Sequence, residues 1–540
     1  MSTFAGAPRL IRLGVRRDRG NLAAWVVGLG VLTVFSVAAV SGVYPTEADR
    51  RTGAAFSAGN RLARAFDGPA SGTELGAMTM VETYAVLAVL AALMSIFIVT
   101  RHTRQDEETG RAELVGSAVV GRRARLTAAL VVVAAANTAI AVVTTVALVA
   151  QDLPVAGSVL SGSVVGACGM TFAAVAAVTA QVSESQRGAT GLAATALGAA
   201  FLVRAVGDAA GTVVDETKVV SGWPSWLSPI GWGQQARPFA DDQWEVLLLF
   251  AGAIAVLVAV AFVIGDRRDL GAGLLRVRPG PSSADGALSS PARLVWRLQR
   301  GTVLAWSVAL VVLAAAFATL GDGADELAGL SDELEELFFA MVGEGELVDG
   351  YIAFMMGFIG IILAAFTVQA MLRSRTEEVA GRLEQVLAGA VGRRQWMVVT
   401  IGLGAVATLG ILLVVGVVSG LVFGVATGDL GAGLQSFGGA TAVQAPAVLA
   451  LGGFVVALVG LIPRWASGLA WTALVVALVT GLLGSVLDLP QPVRNLSPFT
   501  HVPPVPAAGF EPVPLAILTV AAVVLAVVGI VSFRRRDLAL

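Results

Sequence analysis

The chain has 540 residues, of which 56% are hydrophobic and only 14% are charged, with a formal net charge of −2 at pH 7. Average soluble domains carry roughly 25% charged residues, and the mean hydropathy of this chain is +0.81. The composition therefore excludes a soluble globular protein and indicates an all-α polytopic membrane protein. The small net charge gives no reason to expect a nucleic-acid partner.

Twelve apolar runs are long enough to cross a membrane, because a transmembrane helix needs about 20 residues. They lie near residues 21–43, 79–100, 125–150, 155–182, 189–212, 244–265, 303–320, 351–372, 397–423, 438–462, 466–487 and 512–533. Most of the 36 basic residues fall in the N-terminal segment, the C-terminal tail and alternate loops. Since cytoplasmic loops are enriched in Lys and Arg, we expect both termini in the cytoplasm. The predominance of Arg over Lys suggests a bacterial genome, and so a multi-pass protein of the inner (plasma) membrane.

Two charged stretches interrupt the apolar runs and have almost the same sequence. EETGRAELVGSAVVGRR occupies residues 107–123, and EVAGRLEQVLAGAVGRR occupies residues 378–394. We call these stretches the first and second charged segments, and we include in each the acid that precedes it, Asp106 or Glu377. Their matched residues are Glu107, Gly110, Arg111 and Glu113 in the first segment, and Glu378, Gly381, Arg382 and Glu384 in the second.

Further matches extend the similarity over the whole chain. RGATGLAATAL from Arg187 matches RWASGLAWTAL from Arg464, and RRDL at 267–270 matches RRDL at 535–538. Such a pattern predicts one unit copied whole, giving two parallel six-helix repeats related by an axis along the membrane normal. We expect the first repeat at 1–265, a cytoplasmic linker and the beginning of the second repeat at 266–300, and the second repeat at 301–540.

A short helix in each charged segment would be stabilised if it started at the acids. Carboxylates would then lie at its positive end and the closing arginines at its negative end. Leu114, Val115 and Ala118 recur at helical spacing, which predicts an amphipathic helix along the cytoplasmic surface. The alternative is a loop whose arginines only fix orientation. That alternative leaves the matched acids and glycines unexplained, since Asp and Glu contribute little to orientation, whereas a docking surface for a cytoplasmic partner explains them.

The charged segments, WLSPIGW at 226–232 and the two RRDL sequences resemble the permeases of ABC-2 type exporters. The resemblance is to the fused, double-length branch described as exporters of polyketide antibiotics and multidrug exporters, and it covers essentially the whole chain. In that family, a cytoplasmic coupling helix between the second and third spans sits in a groove of an ATP-binding subunit. The resemblance implies that the coupling and partner-binding residues are Asp106, Glu107, Gly110, Arg111, Glu113, Glu377, Glu378, Gly381, Arg382 and Glu384. Val379 stands where the first segment has Glu108, so the two docking surfaces need not be equivalent.

The sequence contains no standard P-loop. That motif needs Gly-Lys followed by Ser or Thr to hold phosphates and Mg²⁺, and the only lysine, Lys218, lies between Thr217 and Val219. We therefore expect no cofactor bound by this chain, with ATP and Mg²⁺ held by a separate ABC ATPase subunit. The resemblance implies two such subunits for each double-length permease. Membrane lipids and a small-molecule substrate are the other expected partners.

Arg204 and Asp208 lie four residues apart in the fifth predicted span, and so on one helix face. An unpaired charge inside a span is costly, which predicts that they pair with each other. The matching residues of the second repeat, Gly481 and Ser485, are uncharged. The joint absence favours a structural pair over a substrate site.

A possible substrate path lies in the eighth predicted span. Phe354, Met355, Met356 and Phe358 offer an adaptable aromatic and thioether surface of the kind that promiscuous sites use. Packing against neighbouring helices is the alternative. The only histidines, His102 and His501, are expected on opposite sides of the membrane, so no metal site is predicted. No catalytic arrangement of side chains is evident, and we expect a transport protein rather than an enzyme.

The leading functional expectation is the permease subunit of a primary active exporter for amphipathic or hydrophobic compounds, with antibiotic or multidrug efflux as its role. A lipid or glycan flippase permease of the same superfamily is a close alternative. An ion-coupled secondary transporter is another. It would need titratable groups near the membrane midplane, where the spans offer only Glu82, near a span end, and Asp208.

Overall fold

The structure is a computed structural model that describes residues 2–269, 271–274, 290–320, 347–482, 484 and 489–537. The chain forms two compact units, Met1–Gly280 and Pro281–Leu540. Part of the predicted linker at 266–300, and Ser485, lie outside the described residues. Each unit is described below by itself.

The first unit is built mainly from long apolar helices. Its helices are α1 (Ala7–Val43), α2 (Glu47–Gly59), α3 (Arg61–Phe66), α4 (Leu75–Thr100), α5 (Asp106–Glu108), α6 (Arg111–Gly116), α7 (Ala124–Val149), α8 (Val155–Val182), α9 (Gln186–Ala209), α10 (Pro229–Gln235) and α11 (Val246–Arg267). A π-helical turn, Arg101–Gln105, joins α4 to α5, and a 3₁₀ turn, Trp223–Leu227, precedes α10. Strands β1 (Thr212–Asp215) and β2 (Lys218–Val220) form a small antiparallel hairpin, with Val213 opposite Val219. This hairpin is an exception to the predicted all-α fold.

Helix α8 is the centre of the first unit, where it packs against α4, α7, α9 and α11. Its side chains Leu160, Val164 and Phe172 are almost fully buried among those helices. Helix α11 is covered on far less of its surface, and Val256 and Val263 are exposed on it. An exposed apolar face on a long helix is expected where that helix contacts lipid.

The second unit repeats the pattern of long helices and short connecting helices. Its helices are α12 (Pro291–Leu320), α13 (Leu347–Met371), α14 (Arg373–Val379), α15 (Arg382–Leu387), α16 (Arg393–Thr427), α17 (Leu430–Ala442), α18 (Ala445–Leu461), α19 (Ala466–Leu482), α20 (Gln491–Arg494) and α21 (Pro512–Arg535). Helices α18 and α21 cross closely at Gly460 and Gly529, where a Cβ added at Gly460 would overlap the Gly529 carbonyl oxygen. Small residues allow such close approach between membrane helices.

Eleven helical stretches of the described residues are long and apolar enough to cross a membrane. The predicted span at 466–487 corresponds to α19, which has 17 residues and is shorter than the about 20 that a span needs. The prediction of a polytopic α-helical membrane protein is confirmed. The count of twelve spans, the parallel repeats and the cytoplasmic termini stay predictions.

Candidate functional site: the two charged segments

Both charged segments begin at the end of a long helix. Asp106 and Glu107 lie in the last turn of the helical stretch Leu75–Glu108. Gly110 then adopts a φ of +70°, and Gly381 adopts +69° at the matching place. The prediction of a helix that starts at the acids is wrong, because the glycine accepts a left-handed φ at little cost and ends the long helix after the acids. A separate short helix follows each glycine.

Each short helix is anchored by one buried apolar residue. Ala112 holds α6, and Leu383 holds α15. Helix α6 ends at Gly116, before Ala118, so it is shorter than the amphipathic helix that the sequence predicted. Val115 in α6, and Val386 and Leu387 in α15, are half-buried. The exposed residues are Arg111, Glu113 and Leu114 in α6, and Arg382, Glu384 and Gln385 in α15.

Glu107 lies among arginines and not on the exposed surface of the segment. Arg268 binds both of its oxygens, with Nη2 2.8 Å from Oε1 and Nη1 3.1 Å from Oε2. Arg104 Nη1 lies 2.8 Å from Oε2, and Arg125 lies 3.6 Å from Oε1. The Glu107 side chain is only 6% exposed. A carboxylate this buried is stabilised by paired, hydrogen-bonded cations, so Glu107 holds the segment in place.

Glu378 repeats this arrangement in the second unit. Arg536 again binds both oxygens, with Nη1 and Nη2 each 2.7 Å from their acceptors. Arg375, three residues before the acid, lies 3.1 Å from Oε2, as Arg104 lies three residues before Glu107. The matched sequences of the two segments are therefore accompanied by matched contacts.

The first acid of each segment binds the arginine that follows the glycine. Arg382 Nε donates to Glu377 at 2.6 Å, and this carboxylate raises the pKa of Arg382 above its ordinary value. Arg111 lies 3.7 Å from Asp106, which also accepts a 2.8 Å hydrogen bond from Arg17 in α1. Both short helices are thus folded back against the long helix that precedes them.

The two segments differ in charge at one position of the acid-rich turn. Glu108 accepts a 2.7 Å hydrogen bond from the backbone N–H of Gln186, at the start of α9. The matching residue, Val379, is 69% exposed. The first segment is therefore tied to a further helix of its unit through a contact that Val379 cannot make.

Sequence reasoning named the acids of the site but missed most of their partners. Arg104 and Arg375 were not singled out, and Arg268 and Arg536 were noted only as part of the RRDL match. The repetition of RRDL at the end of both units was the available signal. It did not reveal that a residue about 160 positions away would bind Glu107.

An open cavity of about 430 Å³ lies beside the first charged segment. Its wall includes Glu107 and Arg125 from the segment side, and Phe262 and Arg268 from the end of α11. The cavity is lined by carboxylates as well as guanidinium groups, and Arg268 is already paired with Glu107.

Arg204 and Asp208 form a buried pair in α9, with Nη1 3.4 Å from Oδ2. Asp208 Oδ1 accepts hydrogen bonds from the hydroxyls of Ser221 and Ser225, at 2.7 and 2.8 Å. Arg204 donates to the Phe66 carbonyl at 2.9 Å. The pair therefore connects α9 to α3 and to the turn before α10.

Residues 10–264 and 288–534 match the family described as multidrug efflux system permease Rv1217c, C-terminal domain. The chain belongs to this family. It is 40% identical to the multidrug efflux system permease protein Rv1217c of Mycobacterium tuberculosis (strain ATCC 25618 / H37Rv), over 537 residues that cover 99% of this chain and 96% of that protein.

In this permease family member, the four residues of the predicted substrate path do not share one environment. Met356 is 1% exposed, and its sulfur accepts a 3.5 Å hydrogen bond from Thr441. Phe354, Met355 and Phe358 are half-buried. Met356 therefore packs inside the second unit, while the other three reach its surface.

Proposed function

We propose that this chain is the permease subunit of an ATP-driven ABC exporter of the ABC-2 type. It moves amphipathic or hydrophobic compounds out of the cytoplasm across the bacterial plasma membrane. The family of the chain and the resemblance of its charged segments to coupling helices support this proposal. The proposal places both termini and both charged segments in the cytoplasm, in agreement with the distribution of basic residues.

The observation that carries the proposal is the construction of the charged segments. In each one, a short helix is fixed from behind by a buried apolar residue and by ion pairs, and it leaves a glutamate, Glu113 or Glu384, exposed. A rigid base with an exposed charged tip is suited to receive a partner, because little side-chain and loop freedom is lost on binding. Helices α6 and α15 are therefore the coupling helices of the proposal.

The energy source must come from another chain. The sequence lacks the Gly-Lys-[Ser/Thr] motif that holds ATP phosphates and Mg²⁺. One ATPase subunit docks on each short helix, which gives two ATPase copies for each permease chain. Movement of a docked ATPase is passed to α4 and α13, the long helices that lead into the two segments.

The two docking surfaces are not equivalent. Leu114 in α6 is 75% exposed, and Gln385 occupies the matching position in α15. An exposed leucine offers apolar area to a partner, whereas the glutamine offers hydrogen bonds. The ATPase subunit therefore binds the first segment more through burial and the second more through polar contacts.

Co-purification with the ATPase tests the proposal. The permease is expressed with a candidate ABC ATPase chain that contains GxxxxGK[ST], and Glu113 and Glu384 are changed to Arg. Both side chains are exposed, and neither carboxylate makes a hydrogen bond or ion pair within the described part of the chain, so the fold is expected to survive. Loss of the ATPase from the purified complex is the expected result.

The matched control reverses an exposed ion pair elsewhere. Arg51 and Glu216 are 69% and 77% exposed and lie 3.1 Å apart, on the side that the proposal assigns to the outside. The double change Arg51→Glu and Glu216→Arg should leave the ATPase bound. Retention of the ATPase by the Glu113→Arg, Glu384→Arg variant would contradict the proposal.

A further inference from the structure

We infer that Arg268 and Arg536 are positioning residues that fasten the last helix of each unit to both ends of that unit's charged segment. A displacement of the first segment is passed to α11, and a displacement of the second to α21. The inference rests on the proposed function, and it adds which helices move with the coupling helices.

The guanidinium group of each arginine holds the beginning of the segment. Arg268 grips Glu107 through two nitrogens, and Arg536 grips Glu378 in the same way. Such two-point contacts fix orientation as well as distance. The side chains of both pairs are 14% exposed or less, so water screens them far less than it screens surface ion pairs.

The backbone of each arginine holds the end of the segment. Arg122 Nη2 donates to the Arg268 carbonyl at 2.7 Å, and Arg393 Nη1 donates to the Arg536 carbonyl at 2.8 Å. Arg122 and Arg393 are the matched first arginines of the pairs that close the segments. Arg268 and Arg536 thus each contact both the first and the last part of their charged segment.

The backbone geometry that makes this possible is the same in both units. Arg268 directly follows the end of α11, with φ −105° and ψ 152°, and Arg536 directly follows α21, with φ −85° and ψ 154°. The helix ends and the chain becomes extended at this residue. An extended residue at a helix end can offer its carbonyl to one neighbour and its side chain to another.

A purely topological role does not account for these contacts. If the arginines served only to keep the tail in the cytoplasm, the preceding residues Arg267 and Arg535 would do so equally well. Both are exposed, and neither guanidinium group makes a hydrogen bond or ion pair with any residue that the structure describes. They therefore serve as matched controls, because each carries the same charge and directly precedes the arginine under test.

The first unit carries additional fastenings that the second does not repeat. Arg268 Nε donates to Gln181 of α8 at 2.5 Å, and Arg123 binds Asp266 of α11. The matched residue of Arg123 is Arg394, which is exposed and has no such partner among the described residues. The attachment of α21 in the second unit thus depends more on Arg536 alone. Replacing Arg536 should therefore be more severe than replacing Arg268.

The test uses the complete permease with its ATPase subunit in membrane vesicles. Arg268→Gln and Arg536→Gln, alone and together, are compared with Arg267→Gln and Arg535→Gln. ATPase co-purification should persist in all variants, because the exposed docking residues are unchanged. ATP-driven drug transport should fall about tenfold or more in the Arg268→Gln, Arg536→Gln double variant, the effect expected from losing hydrogen bonds between charged groups. It should stay within about twofold of wild type in the controls.

Arg536→Lys separates geometry from charge. Lysine keeps the positive charge but cannot bind both carboxylate oxygens as a planar fork, so its transport should lie between wild type and Arg536→Gln. Transport equal to wild type in Arg536→Gln, or equal losses in Arg535→Gln, would overturn the inference. Absence of the ATPase from the wild-type complex would instead contradict the proposed function.

A distance measurement keeps the inference testable if the glutamine variants fail to fold. Spin labels are placed at Ala388, directly after α15, and at Val531 in α21, both exposed. The only native cysteine, Cys168, is buried. In the otherwise unchanged complex, the distance between these labels should be the same with and without ATP. A change in that distance on ATP binding would overturn the inference.

Discussion

Arg382 folds back across Gly381 and binds Glu377, with its Nε 2.6 Å from the carboxylate. The intervening glycine has a φ of +69°, which reverses the chain between α14 and α15. Because the contact and the turn depend on each other, the exposed face of α15 is set by this glycine. Gly110 makes the corresponding turn before α6 with a φ of +70°.

Replacement of Gly381 by Ala should weaken the complex with the ATPase. Nothing lies within 4 Å of an added Cβ, so the cost is conformational, about 1–2 kcal/mol for a left-handed residue. Asparagine tolerates this region better than alanine, and Gly381→Asn should therefore be milder. Gly392→Ala is the control, since Gly392 has a φ of −76° and equally open surroundings. Co-purification of the ATPase and the thermal unfolding temperature report the result, and equal effects of Gly381→Ala and Gly392→Ala would refute the argument.

The Arg204–Asp208 pair should behave as one unit. Removing one partner leaves a buried, uncompensated charge, which costs on the order of 3–5 kcal/mol. Arg204→Ala alone should therefore reduce the amount of folded permease in membranes more than Arg204→Ala combined with Asp208→Ala. Detergent-solubilised, monodisperse protein is the measured quantity. If both variants lose the same amount, the two charges act independently.

Asp67 should make the stability of the first unit depend on pH. Burial raises the pKa of Asp67 to about 6, against the opposing effect of Arg204. Its unfolded value is about 3.9, so the folded state favours the protonated acid. The contribution to stability is present below about pH 4 and is lost as the pH rises through about 6. Unfolding temperatures of wild type and Asp67→Asn, measured from about pH 4 to 7, should diverge with rising pH, the wild type losing more. Parallel curves would show that Asp67 does not titrate in this range.

Replacing Met356 should lower the amount of folded protein, whereas replacing Phe358 should change which compounds are exported. Met356 is buried, and its replacement by Ala leaves a cavity that costs about 2–5 kcal/mol, so less folded protein should reach the membrane. Phe354 and Phe358 are half-buried, and Phe354→Ala or Phe358→Ala should alter which compounds are exported without lowering the protein amount. Efflux of a panel of amphipathic dyes, normalised to membrane protein, separates the two effects. An unchanged dye profile in both Phe variants would remove them from the substrate path.

The long helices could be predicted from the sequence because each one depends on a local property, a run of about 20 apolar residues. For α19 the comparison is incomplete, because the described helix stops at Leu482 and residues 485–487 of the predicted run lie outside the described residues. The start of the short helices was misplaced because a left-handed glycine overrode the favourable placement of acids at a helix N-terminus.

The contacts of the site depend on how distant parts of the chain meet, and the sequence contained only indirect signs of them. The pairing of Arg204 with Asp208 follows from a four-residue spacing within one helix and was therefore accessible. The pairing of Arg536 with Glu378 joins the residue after α21 to α14, and no local pattern specifies it. Duplication of both partners was the one sequence feature from which it could have been inferred.

The most direct measurement reconstitutes the purified permease in liposomes with and without the ATPase subunit and ATP. The account predicts uphill movement of an amphipathic drug only when the subunit and ATP are both present, and none with Glu113→Arg and Glu384→Arg in place. Uphill transport by the permease alone, driven by a proton or sodium gradient, would contradict the account.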